Sequence, residues 1–418
     1  MTRLAIMGGK KTVTFPAPHF PWPIITKSVE KAVVTQLYKT VSIYNRSDIF
    51  ERFENAFAAW YGVKHALLMS SGTAALHSMF VGAGIVSGDE VICPAYTFYA
   101  TVTPLFQIGA IPVLSDCTPS GNLDPKKLER LLTKKTRAVV VTHMWGVPAD
   151  MDAIVAFCKK HKLLLFEDCS HAHGATYHGK PVGTFGDAAA FSLQGQKIIT
   201  GGEGGMLITN SDEVYYRAML FGHYNKRCFQ EIPKDHPLHQ YAMTGMGLKL
   251  RAHPLAVAIA EEQFSHLPEF LKQKRQFARY MQKQLAGVSG IRLPVIPHHA
   301  DPSWYAFVIQ YVPQEVGDMP VKTFLTALQA EGCFEADMPG STCPLNFLPL
   351  FQHPEAIYPS YKNKVRYHVG DFPQAEHFFA SAIKFPVWTN KKDMAIVKQY
   401  VLAIKKVLKH YKTIVRTT

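Results

Sequence analysis

From about Ile49 the chain alternates short apolar runs with stretches whose apolar positions recur at helical spacing. Asp48 to Tyr61 reads as a helix. HALLMS, EVICPAY, IPVLSDC, RAVVVTH and KLLLFEDC read as strands, separated by the helix-like TAALHSMFVGAG, FYATVTPLFQIG, PKKLERLL and MDAIVAFCKKH. Strands this apolar are buried on both faces, which in an alternating chain means a mostly parallel sheet with helices on either side. Functional residues in such a sheet collect where strands run into helices. After about residue 262 the pattern changes to a long helix from Leu267 to Leu285, a strand-like SWYAFVIQYV, a Pro/Asn-rich loop around residues 337 to 373 and a closing helix from about Asp393. The expected organisation is an N-terminal arm (1–45), proline-rich at FPAPHFPWPII, then a large α/β unit (46–262) and a smaller α+β unit (263–418). The arm would pack on the body or on a second subunit.

Composition adds few constraints. With 47% hydrophobic and 18% charged residues, 418 positions hold ample material for a packed core. The net charge of +13 is scattered. Its densest groups are Lys126/Lys127, Lys134/Lys135/Arg137 and a C-terminal set (Lys405, Lys406, Lys409, Lys412) whose spacing reads as a solvated helix face. No zinc-finger or RNA-recognition pattern accompanies it, so no nucleic-acid partner is expected; an anionic small substrate remains compatible. Seven cysteines without a CxxC pair fit a reducing, cytoplasmic setting. No apolar run has the length of a signal peptide or a membrane span, so a soluble protein without a membrane partner is expected.

The unusual residues sit at the strand ends. Ser70-Ser71-Gly72-Thr73 lies at a strand-to-helix junction, where free amides and the helix dipole favour an anion, although serine and threonine there are also ordinary caps. Asp168 ends an apolar strand, where a carboxylate needs a cation or donors. Lys197 follows the apolar AAAFSL and precedes Gly201, Gly202, Gly204 and Gly205, which let the backbone approach a ligand closely. A lysine on such a turn is commonly a solvated charge. Held between two buried strands it would be desolvated, its pKa lowered and its amine freed as a nucleophile. His171, His173 and His178 invite a metal reading, but no second carboxylate–histidine spacing supports zinc, and no metal is expected. Neither a Walker motif nor a dinucleotide fingerprint is present. An anion-binding turn, an aromatic at a strand end, an acid and a lysine 29 positions beyond it (197 − 168) are the parts pyridoxal phosphate needs.

The ordered motifs SSGTAAL, GDEVICPAYTFYAT, HMWGVPADMDAI, EDCSHAHGA, GTFGDAAAFSLQGQK and TGGEGGMLIT resemble the DegT/DnrJ/StrS sugar aminotransferases. The resemblance runs from about residue 45 to 262, more loosely to the C-terminus. It implies a fold type I pyridoxal-phosphate enzyme with a seven-stranded central sheet and active sites shared in a homodimer. Lys197 would be the Schiff-base lysine and Asp168 the partner of the pyridine nitrogen. Gly72, Thr73 and Ser192 would hold the phosphate, Phe98 would stack on the ring, and His171 would lie near its phenolic oxygen. Lys249 stands where the family places an asparagine that reaches the neighbouring subunit's phosphate, and Arg251 beside it is a candidate substrate anchor. The implied reaction moves an amino group from glutamate or glutamine to a keto sugar, commonly nucleotide-linked, or to a keto cyclitol. The lead-in GGKKTVTFPAPHFPWP is similar to the branch that also holds aminohydroxybenzoate synthases, so an aromatising enzyme is an alternative. A silent binding protein on the same fold is another.

Overall fold

The computed structural model describes residues 3–416. Seven strands form the main sheet: β1 (His65–Met69), β2 (Glu90–Pro94), β3 (Ile111–Ser115), β4 (Thr136–Thr142), β5 (Leu164–Asp168), β6 (Ala188–Ser192) and β7 (Gly205–Thr209). Their spatial order is β1-β7-β6-β5-β4-β2-β3. Only β7 runs against its neighbours β1 and β6; the other pairings are parallel. The sheet is covered on both faces, and the alternation shows it directly. Along β4, Val140 enters one core while Val139 and Val141 enter another; along β6, Ala190 and Ala189 divide in the same way. This is the α/β, mostly parallel arrangement expected of fold type I.

Register puts the functional stretches on one edge. Met69, Gly205 and Ser192 stand opposite one another across β1, β7 and β6, and Asp168 stands opposite Thr142 across β5 and β4. The turns that follow β1, β5 and β6 therefore emerge side by side. A third core surrounds a smaller sheet of β8 (Ile291–Arg292), β9 (Phe307–Tyr311) and β10 (Ala382–Phe385), packed by the helices Leu267–Leu285 and Met394–Lys409. Leu4 and Val13 of the arm also bury themselves in this core, so the arm's first part packs on the body.

Several expected elements are shorter. FYATVTPLFQIG holds only a 3-10 turn (Tyr99–Thr101) and a five-residue helix (Thr103–Gln107) with Pro104 in its first turn. PKKLERLL forms two 3-10 turns, Pro125–Lys127 and Glu129–Leu131, rather than a helix. Eight residues starting at a proline are too few to carry the cost of helix nucleation without a broad buried face. Of SWYAFVIQYV only Phe307–Tyr311 is strand, because Trp304 takes a left-handed conformation at φ 58°. EVICPAY divides as well. Tyr96–Phe98 leaves the main sheet and pairs with Thr342–Pro344, which draws the 337–373 segment over the sheet's edge. Lys406 departs from the solvated face, donating to the buried Glu331 at 2.8 Å.

Candidate active site

At the carboxyl ends of the strands lies a cavity of about 700 Å³ lined by Ser71, Gly72, Thr73, Phe98, Asp168, His171, Ser192 and Lys197, among others. These residues come from four separate strand ends. Each is delivered by a strand terminus, so the sheet's register fixes their mutual placement.

The first junction carries the candidate anion site. Ser71 caps the helix Gly72–Gly82, its hydroxyl accepting from the Ala74 amide at 3.0 Å. The Gly72 and Thr73 amides precede the first intrahelical bond and stand at the positive end of the dipole. A Cβ on Gly72 would lie 2.7 Å from the Ser192 Cβ, and one on Gly205 would lie 2.2 Å from the Ser71 carbonyl oxygen. Glycine is required at both positions by close approach of the two turns, so the Ser192 hydroxyl and the helix amides converge.

Asp168 is buried at the end of β5, its Oδ2 accepting from the Thr101 hydroxyl at 2.7 Å and its Oδ1 from the Ser170 amide at 3.0 Å. Thr101, Thr97 and Thr142 form a chain of hydroxyls behind it, with Thr97 Oγ1 2.8 Å from Thr101 and 3.1 Å from Thr142. The carboxylate is thus fixed by donors rather than by a salt bridge, and it remains available to a cation in the cavity. Glu167, one residue back, points to the opposite face. It accepts from His143 Nε2 at 3.1 Å and from the amides of Gly183 (2.7 Å), Phe185 (2.7 Å) and Gly186 (2.9 Å). His143 Nδ1 accepts from Ala149 at 3.0 Å, which places the ring proton on Nε2, toward Glu167. With those lone pairs committed, the buried group His143, Glu167 and Cys169 is a structural brace and not a metal centre. His178 bonds Asp152 at 2.8 Å on the surface, away from His171.

Lys197 sits on the turn between β6 and β7. Burial lowers its pKa from 10.5 to about 8, with Asp168 opposing the shift. Its Nζ lies 5.0 Å from the centroid of the Tyr305 ring. That ring stacks on His171 at 4.1 Å and 6°, and Trp145 stacks on the imidazole at 5.5 Å. Burial, reinforced by Lys197, pushes the His171 pKa well below its usual value, so the ring is neutral, and its buried Nδ1 has no hydrogen-bond partner among the described residues. Phe98 lines the cavity wall, its own ring 4.2 Å from Tyr99.

Lys249 and Arg251 are not in this cavity. Lys249 is exposed, while Arg251 lies over the Tyr44 ring at 5.1 Å and reaches the Ile43 carbonyl at 3.5 Å. The Leu250 carbonyl accepts from the Ser70 amide at 2.6 Å, which anchors their segment beside the anion-binding junction. Sequence reading missed Thr101, Trp145, Tyr305 and the arm residues Phe20 and Trp22, all of which line the site or support Asp168. The WP in the arm was the available signal for Trp22; nothing local distinguished the others.

The site accommodates the pyridoxal phosphate expected from the sequence. The helix-start amides of Gly72 and Thr73 beside the Ser192 hydroxyl suit a phosphate, His171 presents a nitrogen without a hydrogen-bond partner among the described residues, and Asp168 and a desolvated lysine face the same space. Comparison with known proteins points the same way. The DegT/DnrJ/EryC1/StrS aminotransferase family model matches residues 25–401. L-glutamine:scyllo-inosose aminotransferase of Streptomyces griseus is 30% identical over 99% of both chains. GDP-perosamine synthase of Caulobacter vibrioides is 38% identical over 62% of this chain and 67% of its own. Among solved structures, the aminotransferase from Psychrobacter cryohalolentis superposes with a TM-score of 0.84 at 26% identity, over 94% of this chain and 100% of the other.

Proposed function

Because the chain belongs to the DegT/DnrJ/EryC1/StrS aminotransferase family, we propose that its cavity binds pyridoxal phosphate and moves an amino group from L-glutamine to a ketone on a polyhydroxylated ring. The observation that carries this is the convergence of Lys197, Asp168, Gly72, Thr73, Ser192 and Phe98 on one cavity. In this reading the Gly72 and Thr73 amides and the Ser192 hydroxyl hold the phosphate, Phe98 packs on the ring, and Asp168 holds the proton of the ring nitrogen. The neutral His171 is assigned to the phenolic oxygen. When bound, the cofactor supplies an electron sink that acidifies the C–H beside the transferred nitrogen.

Lys197 has two tasks: its Nζ bonds the cofactor at rest, and once displaced it moves the proton of the donor's α-carbon. A pKa of about 8 suits both, since near neutral pH an appreciable fraction of the amine is unprotonated. Phe20, Trp22 and Tyr305 keep water from that proton. We assign the chain an arm (1–45), a large cofactor-binding unit (46–262) and a small unit (263–418).

A keto cyclitol is the favoured acceptor. Among the described residues the cavity is lined by no arginine, and its lysine besides Lys197, Lys384, already lies 3.4 Å from Asp337. Glu203 and Glu335 also line it, a poor setting for two phosphates. The relative matched from end to end acts on scyllo-inosose according to its name, which supports the same choice. A homodimer completes the site. Met246 and Leu248 are exposed next to Lys249 in the chain, Tyr44 is exposed under Arg251, and Leu37, Tyr38 and Val41 are exposed on the arm; a second copy would cover such apolar residues while carrying Lys249 into the neighbouring cavity. The test supplies L-glutamine with scyllo-inosose or with a nucleoside-diphosphate keto sugar and measures amine formation. Amination of the cyclitol supports the assignment; amination of only the nucleotide sugar reverses it.

A further inference from the structure

Among the described residues, one bond holds the turn that carries Lys197 from outside at its apex. Within the turn, the Lys197 amide donates to the Gln194 carbonyl at 2.8 Å and the Gln196 amide to the Gln194 side chain at 2.9 Å. Further along, Gly201 donates to Leu193 at 2.9 Å. Among the described residues, the single hydrogen bond that reaches positions 195–198 from elsewhere in the chain is the indole N–H of Trp22, which donates to the Lys197 carbonyl at 2.9 Å. Trp22 lies 175 positions away in sequence and belongs to the arm.

We propose that Trp22 is a positioning residue for Lys197, fixing the carbonyl of the reactive lysine and closing the cavity beside it. The ring is itself well placed. It stacks on Phe20 at 5.9 Å and 10°, meets Phe270 edge-on at 5.4 Å, and lines the cavity together with Phe20, Gln196 and Lys197.

The arm does not need this bond in order to dock. On one side of Trp22, the His19 amide donates to Glu335 at 2.5 Å, His19 Nδ1 lies 2.8 Å from the Tyr400 hydroxyl, and the Trp388 indole donates to the His19 carbonyl at 2.7 Å. On the other side, Gln263 donates to the Ile24 carbonyl at 3.0 Å. The arm is fastened at both flanks, so the distinct consequence of the Trp22 N–H falls on the lysine. A half-buried carbonyl that loses its donor turns toward water or another partner. Here that would rotate the peptide next to the Lys197 Cα and let solvent in beside Nζ.

The inference rests on the reading of Lys197 as the cofactor-bonding lysine, and the experiment separates the two. Trp22→Phe keeps an aromatic ring and removes the N–H together with part of the indole's bulk. In the cofactor-free full chain, competitive acetylation of Lys197 across pH, read by peptide mass spectrometry, gives the midpoint of its titration. In the loaded enzyme, kcat and KM for L-glutamine are measured.

Trp22→Phe is expected to lower kcat roughly fivefold to tenfold with KM within about twofold, as for misplacement of a reacting group. It is also expected to move the Lys197 midpoint upward by at least about half a unit as the amine gains water. Gln263→Leu, which removes an arm bond but none from Lys197, should leave that midpoint unchanged. An unchanged midpoint or an unchanged kcat in Trp22→Phe overturns the proposal, as does an equal shift in Gln263→Leu, which would make arm docking the cause. If Lys197→Ala still bonds the cofactor as wild type does, it is the reading of Lys197 that fails instead.

Discussion

Replacing Gly72 by alanine tests the anion cradle at its tightest point. Gly72 is helical, so alanine meets no conformational barrier, and the penalty is purely one of space. The new Cβ would sit 2.7 Å from the Ser192 Cβ, 3.0 Å from its Cα and 3.1 Å from its Oγ. Carbon pairs rest at about 3.5–4.0 Å, so the deficit is roughly 1 Å. Ser192 ends a strand whose residues are all buried, between β5 and β7, and has little room to retreat. Overpacking of this kind costs about 1–3 kcal/mol, partly offset by up to about 1 kcal/mol because alanine orders more cheaply than glycine. The helix start is the part free to shift, which displaces the Gly72 and Thr73 amides from the phosphate. A loss of about 1–3 kcal/mol there weakens cofactor affinity about fivefold to 150-fold. Titration of the cofactor-free protein with pyridoxal phosphate, followed by absorbance, measures it directly. Wild-type affinity in Gly72→Ala would refute the assignment of this turn to the phosphate.

Other expectations follow from the same geometry. Thr101→Val removes the hydroxyl that donates to Asp168 at 2.7 Å while keeping the side chain's shape; a hydrogen bond to a charged group contributes about 1.5–3 kcal/mol, so kcat should fall at least about tenfold in steady-state assays. Acetylation of Lys197 in the cofactor-free protein should rise about tenfold per pH unit up to pH 8 and then level off. Because its folded pKa of about 8 lies below 10.5, the folded chain binds fewer protons in that window. The group's stabilising contribution is therefore full above 10.5 and is lost as pH falls to about 8, so denaturation midpoints should rise with pH across this interval insofar as Lys197 controls them. Arg227→Met takes from the buried Glu54 carboxylate its two bonds at 2.9 and 2.8 Å and leaves it Arg46 at 3.0 Å and the Leu68 amide at 2.9 Å, so it should cost about 1–3 kcal/mol in chemical denaturation without changing cofactor affinity.

The strands and the longer helices were legible because their signals are local. Asp48–Tyr61 and Leu267–Leu285 carry long amphipathic periods, and the sheet strands are short apolar runs at β-branched or alanine-rich positions. The strand-end residues Asp168, Ser192 and Lys197 were legible for the same reason, since a polar group ending an apolar run needs an explanation. What the sequence did not reveal depends on contacts far apart in the chain. Tyr305 reaches His171 because Trp304 turns through a left-handed conformation, and Thr342–Pro344 enters the site by pairing with Tyr96–Phe98. Neither has a periodic signature. Thr101 looks like a helix residue in FYATVTPLF, and its role appears only when β4 and β5 bring Thr142 and Asp168 level.

The central claim is that the Lys197 amine bonds the cofactor and is released by the amino donor. The absorbance spectrum of the pyridoxal-phosphate-loaded protein before and after L-glutamine, taken beside Lys197→Ala, tests it most directly. A near-visible band that requires Lys197 and is discharged by L-glutamine is the predicted result. The same band in Lys197→Ala, or none in wild type, would contradict the account.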